Sequence, residues 1–264
     1  MMKSEVKIIV VKIGGSTLGS HDTTLDDLVS LQEEGSLSIV VHGGGSKINE
    51  WLKKIGGSTA FVRGMRVTNA ATLEVVIAVL AGLVNKELVA AIISKGGQAI
   101  GLSGADGGLI QGRMEYPDLG YVGKVVKVNA EPVKTILSAG YIPLIAPVGL
   151  KAASRDTDPV KLLNINGDVV ASEIAGALKV ERLIFLTDVP GVRDGQGKFL
   201  PRLSAAEARD MIASGFIAGG MIPKVEACLN ALSRVSSTQI VDGRSAHALL
   251  SAIEGKTVGT RIEQ

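Results

Sequence analysis

One pattern constrains this chain before any other. Short runs of β-branched and aliphatic residues, each closed by Gly, Pro or Asp, alternate with helical periodicities from end to end. Strands are expected at Lys7–Ile13, Leu37–Val41, Ala99–Leu102, Lys124–Val128, Ile142–Ala146, Arg182–Leu186 and Thr238–Val241. Helices are expected between them at Thr24–Glu33, Gly45–Ile55, Asn69–Ser94, Pro132–Ala139, Gly167–Leu178, Ser204–Ser214, Ile222–Ser233 and Ala246–Ser251. Such alternation argues for an α/β fold with a mostly parallel central sheet covered on both faces. The composition agrees: 46% of residues are apolar but only 3% aromatic, so the core is aliphatic, as in buried parallel strands under Ala-rich helices. The 264 residues suffice for one large domain or two packed lobes. The change of character near Val148–Asp158 marks the expected boundary, with one lobe at 1–155 and the other at 156–264.

Several classes of function are disfavoured. The net charge of +2 comes without a basic block, so nucleic acid is not an expected partner. The longest uninterrupted apolar run, Val75 to Val84, is short of the roughly 20 residues that span a bilayer. The N-terminal residues lack the apolar stretch of a signal peptide. One cysteine, Cys228, leaves no internal disulfide and no cysteine-based metal cluster, and a cytoplasmic protein is expected. The helix Asn69–Ser94 is apolar nearly all round, which calls for burial by its own domain or by a second subunit.

The chemistry concentrates at glycine turns on strand ends. "KIIVVKIGGST" ends a strand in Lys12 and turns through Gly14 and Gly15, while "SIVVHGGGSKINEWL" ends at His42 and turns through Gly43, Gly44 and Gly45 into a helix. Backbone N–H groups at glycine approach a ligand closely, and a helix N-terminus adds orphan donors and a positive dipole end. Both turns therefore suit an anion at the carboxyl ends of neighbouring strands. The Lys12 turn is not a Walker A loop, whose lysine follows its glycines. The second turn is not a dinucleotide fingerprint, because Ile48 stands where the third glycine belongs. An esterase would need a G-x-S-x-G elbow; the nearest stretch, around Ser103, has Ala105 in place of the last glycine, with His247 as the remaining base.

Other polar positions read two ways. Arg63 and Arg66 flank a turn at Gly64 and are either solvated or a fork for a carboxylate. Asn164, Asn166 and Asp168 precede an Ala-rich helix and, taken alone, are capping residues. Lys224 lies in the first turn of a helix, where it opposes the dipole and invites an anionic partner.

Taken together, "KIGGS" (Lys12–Ser16), "VHGGG" (Val41–Gly45), "GMRVT" (Gly64–Thr68), "LNINGD" (Leu163–Asp168), "LTDVPGV" (Leu186–Val192), "GGMIPKV" (Gly219–Val225) and "GTRI" (Gly259–Ile262) resemble the amino-acid kinase superfamily, and within it the N-acetylglutamate kinases. They occur in family order over essentially the whole chain. The resemblance implies an open three-layer αβα sandwich, with an N-lobe for the amino-acid derivative and a C-lobe for ATP. It implies transfer of a phosphoryl group from ATP, with Mg²⁺ on its phosphates, to the γ-carboxylate of N-acetyl-L-glutamate in arginine biosynthesis. Lys12 and Lys224 would flank the moving phosphoryl group and Asp168 would hold both lysines. Gly44, Gly45, Arg66 and Asn164 would bind the amino-acid substrate, with Arg66 on its α-carboxylate. Gly14 and Gly15, Asp188, Val189, Pro190, Gly191, Val192 and Arg193, and Phe216, Ile217 and Ala218 would bind ATP. No protein ligand for the metal is implied.

Two positions depart from the family pattern: Arg63 replaces a common Asn, and Gly167 replaces a common Ala. Arg63 adds positive charge near the expected substrate mouth and keeps a sister activity in view, phosphorylation of α-aminoadipate or glutamate held by a carrier protein. A non-catalytic amino-acid sensor of this fold would be expected to have lost one of Lys12, Lys224 or Asp168. Arginine-regulated members carry an extra helix before the first strand, and six residues precede it here. The expectation is a homodimer through the helix at 69–94, insensitive to arginine.

Overall fold

A computed structural model describes residues 8–14, 23–114, 116–152 and 161–264. The chain begins β1 (Ile8–Ile13), α1 (Thr24–Glu33), β2 (Leu37–His42) and α2 (Gly45–Lys54), followed by a hairpin of β3 (Phe61–Val62) and β4 (Met65–Arg66). Next come α3 (Ala70–Ile77), a π-helical segment (Ala78–Val84), α4 (Asn85–Ser94), β5 (Ala99–Ser103), β6 (Ile110–Met114), β7 (Val122–Val128), α5 (Glu131–Ser138), β8 (Ile142–Ala146) and β9 (Val148–Lys151). The remainder is β10 (Leu162–Ile165), α6 (Gly167–Leu178), β11 (Arg182–Thr187), β12 (Arg202–Ser204), α7 (Ala205–Ala213), α8 (Met221–Ala231), β13 (Ser237–Asp242), α9 (Ala248–Ile253) and β14 (Thr260–Glu263). Every expected strand and helix is present, with ends shifted by a few residues.

Eight strands form the central sheet in the order β12-β14-β13-β11-β1-β2-β8-β5. All neighbours from β13 to β5 are parallel, while β14 runs antiparallel to β13 and pairs in parallel with the edge strand β12. Strand pleating sends alternate side chains to opposite faces, and the core divides accordingly. Val10, Ile39, Val41, Leu183 and Phe185 pack on one face with Ile174 and Ala175 of α6 and Ala227 and Ala231 of α8. Val11, Val40, Ile184 and Leu186 pack on the other with Leu28 and Leu31 of α1, Val76 and Leu80 of the long helix, and Leu249 of α9. Three layers, αβα, result. The expected lobe boundary at 155/156 lies outside the described residues. The first half supplies β5, β8, β2 and β1, the second β11, β13, β14 and β12, and the halves meet at the β1–β11 pair.

A small closed barrel, β10-β7-β6-β9, stands beside the sheet. Four strands enclose very little volume. Gly112, Gly123 and Gly149 make the interior possible: a Cβ at Gly123 would sit 2.8 Å from Leu163 Cδ1, and one at Gly149 2.7 Å from Ile165 Cδ1.

Helices α3 and α4 and the segment between them form one continuous 25-residue rod, Ala70–Ser94, which is long and apolar enough to cross a bilayer by length and composition. It lies instead along the sheet, with Val76, Val79, Leu80, Val84, Leu88 and Ile92 buried. Its opposite side, through Glu74, Ala78, Gly82, Ala90 and Ile93, is exposed.

Candidate active site

The carboxyl ends of the parallel strands share one edge of the sheet, and the order reverses around β1, which has β2 on one side and β11 on the other. Such a switch point opens a crevice for ligands. Lys12, the penultimate residue of β1, stands there with only 8% of its surface exposed. Asp168 comes to it from the first turn of α6, whose N-cap Asn166 accepts hydrogen bonds from Asp168 N (2.7 Å) and Val169 N (3.4 Å). That cap ends the extended β10 and starts the helix at a fixed point, setting where the carboxylate falls.

Asp168 bridges two lysines. Lys12 Nζ lies 2.8 Å from its Oδ1, and Lys224 Nζ, from the first turn of α8, lies 3.1 Å from Oδ2. Burial, the strongest influence on this carboxyl group, pushes its pKa up. The two ammonium groups more than offset that by charge and hydrogen bonding, and the carboxyl is held below its ordinary range. The aspartate is therefore ionised at neutral pH and is no general acid. Lys224 commits one of its three donors to Asp168, and Lys12 faces the other carboxylate oxygen as an ion pair.

A cavity of about 460 Å³ opens from this triad. Lys12, Asp168, Gly43, Gly44, Gly45, Arg66 and Asn164 all line it. The expected catalytic and amino-acid-binding residues are thus brought to one space, with Lys224 joined to it through Asp168. At the far end Arg66 is buried, and burial lowers its pKa. Its NH2 donates to Asn49 Oδ1 (2.6 Å) and Gly45 O (3.1 Å), its NH1 approaches Thr59 Oγ1 at 3.5 Å, and its guanidinium lies 4.9 Å from the Phe61 ring centroid. All these partners are neutral, and no ion pair among the described residues involves Arg66. Asn164 donates to Thr68 Oγ1 (3.0 Å), and that hydroxyl donates to Arg66 O (2.9 Å), so the two substrate-side residues are braced together. Ile48, Phe61, Leu80 and Val122 supply apolar wall.

The two departures resolve into local geometry. Arg63 does not line the cavity; it pairs with Asp118 (2.8 Å) and stacks over Tyr116 at 4.4 Å, an ion pair at the surface. A Cβ on Gly167 would meet nothing nearer than 3.6 Å, so glycine there answers no steric demand.

The expected nucleotide segments lie outside this cavity. Gly14 follows β1, with its N–H on Leu186 O, and Gly15 lies outside the described residues. Asp188–Arg193 follows β11. Within it Gly191 and Val192 are buried, Val192 N donates to Thr260 Oγ1 (2.8 Å), and Asp188, Pro190 and Arg193 are exposed. In the second segment Ile217 is a core residue while Phe216 and Ala218 are exposed. The two loops touch, since a Cβ on Gly195 would overlap the Phe216 ring. Only Pro190 of these residues borders the 250 Å³ hollow formed with Phe199, Asp242 and Ala248.

Sequence reading missed Asn49, Thr59 and Thr68, the supports of Arg66 and Asn164. Asn49 and Thr59 stand in no motif, with only the helix spacing of Asn49 against Gly45 to hint at a shared face, and Thr68 closes the "GMRVT" motif without its bracing of Asn164 being visible there.

An α/β sheet with a lysine–aspartate–lysine bridge at its switch point and a buried arginine lining the same cavity gives this chain one space bordered by several positively charged groups. The chain belongs to the amino acid kinase family, whose model matches residues 7–242. Acetylglutamate kinase of Dehalococcoides mccartyi is 46% identical over 262 residues, spanning 99% of this chain and 96% of that one. The acetylglutamate kinase of Cereibacter sphaeroides is 46% identical over 250 residues, 93% of this chain and 84% of its own. The solved structure of smu.665 from Streptococcus mutans UA159 superposes with a TM-score of 0.81 at 28% identity, covering 97% of this chain and 98% of that one.

Proposed function

We propose that this chain phosphorylates the γ-carboxylate of N-acetyl-L-glutamate with ATP, giving the acyl phosphate and ADP, a step of arginine biosynthesis. The observation that carries the proposal is the single cavity with Lys12–Asp168–Lys224 at one end and a buried Arg66 without a carboxylate partner at the other. Curated relatives that are 46% identical over nearly the full length carry the same activity in their names.

Arg66 fits the α-carboxylate, which it can grip with its planar fork. Asn164 and the backbone of Gly44 and Gly45 orient the rest of the substrate, so that the γ-carboxylate faces Lys12. That carboxylate is ionised at neutral pH and needs no base. Lys12 and Lys224 offer their remaining donors to the phosphoryl group from opposite sides, and Asp168 keeps both ammonium groups aimed there. Phosphoryl transfer depends mainly on such alignment and charge neutralisation. Among the described residues no group of three or more His, Cys, Asp or Glu could hold a metal. Mg²⁺ would enter on the ATP phosphates and supply further neutralisation. The loops at Asp188–Arg193 and Phe216–Ala218 would take the adenosine.

We further propose a homodimer through the exposed side of Ala70–Ser94, where Ala78, Gly82 and Ala90 permit close approach and Ile93 is 55% exposed. A monomeric mass by light scattering at micromolar concentration would remove this. The catalytic reading is tested by ADP release with MgATP, comparing N-acetyl-L-glutamate with free glutamate, aspartate and UMP. Turnover on the acetylated substrate alone is expected; preference for another acceptor would sink the assignment.

A further inference from the structure

Beneath the Gly43–Gly44–Gly45 turn, on the side away from the cavity, lies a buried polar chain that no phosphoryl-transfer role accounts for. His42 is fully buried, and its Nδ1 lies 2.9 Å from Gly43 O. A carbonyl can only accept, so Nδ1 carries the proton and Nε2 is the acceptor. Asn85, also fully buried, donates to Nε2 at 3.1 Å and to Leu144 O at 3.0 Å. Lys86 Nζ in turn donates to Asn85 Oδ1 (3.0 Å) and Gly101 O (2.9 Å). Burial chiefly, with the charges of Lys12 and Lys86, pushes the His42 pKa down to about 4 against the opposing pull of the Gly43 bond, so the imidazole is neutral at physiological pH.

Two further details show how closely this chain is fitted to the turn. Asn85 directly follows the π-helical segment, and π segments often mark functional positions because they re-aim the residues around them. The same segment presses Leu80 and Val84 onto the turn, where a Cβ on Gly44 would lie 2.6 Å from Leu80 Cδ2. Gly101 leaves room for the amide, since a Cβ there would overlap Asn85 Oδ1.

The consequence lies in the peptide plane. No described peptide is cis, and in a trans peptide the C=O and the following N–H point in opposite directions. His42 draws the Gly43 carbonyl inward, away from the cavity that Gly43 and Gly44 line but His42 does not. The Gly44 N–H, which has no acceptor among the described residues, is thereby turned outward. We infer that His42 and Asn85 are positioning residues: they lock the Gly43–Gly44 peptide so that the Gly44 N–H faces the cavity and donates to an anionic oxygen there. The inference rests on the reading of that cavity as a phosphoryl-transfer site.

The test compares wild type, His42→Gln and His42→Asn in steady-state kinetics with N-acetyl-L-glutamate and MgATP. Asparagine places an N–H donor where Nδ1 stands and keeps the Gly43 bond; glutamine reaches only toward Asn85. His42→Gln should lose about 10–100-fold in kcat, part of the effect of removing a whole transition-state donor. Its KM should change less than kcat, and His42→Asn should exceed it by about tenfold or more in kcat. Equal losses in the two variants, or none in either, overturn the inference. A second measurement needs no turnover: the Gly44 amide of ¹⁵N-labelled protein should shift on addition of inorganic phosphate in wild type and His42→Asn but not in His42→Gln. This pattern in a wild type inactive on N-acetyl-L-glutamate would remove the assigned reaction and leave the positioning role standing. No Gly44 response in wild type overturns the role whatever the kinetics. Should His42→Gln not fold, the wild-type imidazole decides, since ¹⁵N shifts reporting a proton on Nε2 at neutral pH also overturn it.

Discussion

The two ends of the 460 Å³ cavity solve opposite problems. At the reacting end one carboxylate holds two ammonium groups before any ligand arrives, Asp168 bridging Lys12 and Lys224 at 2.8 and 3.1 Å, so the cluster is half neutralised and keeps a net charge of +1. At the recognition end Arg66 is buried among neutral acceptors, Asn49, Thr59 and Gly45 O. A buried cation held by neutral groups gains from any incoming anion, whereas a half-neutralised triad gains most when extra negative charge develops beside it. The first arrangement favours binding and the second favours the transition state. The same difference predicts which kinetic constant each substitution moves.

The largest effect is expected at Asp168. Asp168→Ala leaves two ammonium groups in a poorly solvated site without their counter-charge, which should cost about 3–5 kcal/mol of stability, read by urea unfolding. With both lysines unanchored, kcat should fall on the order of 10³ or more, beyond the loss of one donor. A variant within tenfold of wild type in kcat would break the claim that this end is built for the transition state. Lys12→Ala should fold and lose roughly 10²–10³ in kcat, with KM for the amino-acid substrate little changed. A rise in KM at constant kcat would place Lys12 with Arg66 instead.

The pH dependence of stability separates the glycine turn from the triad. His42 has a folded-state pKa of about 4 against an ordinary 6.5, so between those values the unfolded chain binds a proton that the native one refuses. Stability contributed by neutral His42 is then complete above 6.5 and falls as pH drops toward 4, by about 3 kcal/mol in all. Asp168 has a pKa depressed from its ordinary 3.8, so its share is present above that value and is lost only below it. Urea unfolding from pH 7.5 to 4, taken at about half-unit steps, should follow the His42 window, and His42→Asn should flatten it. An unchanged slope in that variant would assign the loss to other groups.

What was legible in the sequence follows from how each element is buried. The strands of the main sheet are covered on both faces and so read as unbroken apolar runs, "IIVVKI" and "RLIFLT" among them. β6, β9 and β10 did not stand out. Their barrel has room for only a few large side chains, so glycine fills inward positions such as Gly112 and Gly149, and no apolar alternation remains to be seen. The site shows the same division. Lys12, Asp168, Arg66 and Lys224 sit in motifs at strand and helix ends, where position itself is a signal. Asn49, Thr59 and Asn85 act through partners 17, 7 and 43 residues away, and nothing local announces them. The π-helical segment was hidden too, because a helix apolar nearly all round carries no phase by which an extra residue could be noticed.

The smallest effect is expected from the mildest change at the recognition end. Arg66→Lys keeps the charge but replaces a planar fork with a point donor that cannot hold Asn49 and a substrate carboxylate together. Losing one charge-assisted hydrogen bond of about 1.5–2 kcal/mol should raise KM for N-acetyl-L-glutamate roughly 10–30-fold. Because the guanidinium lies across the cavity from the triad, kcat should stay within about threefold and KM for ATP should not move. A fall in kcat matching the rise in KM would mean that the carboxylate grip also sets the alignment of the γ-carboxylate on Lys12. Binding and reaction would then be coupled along the cavity, and its two ends would be one device.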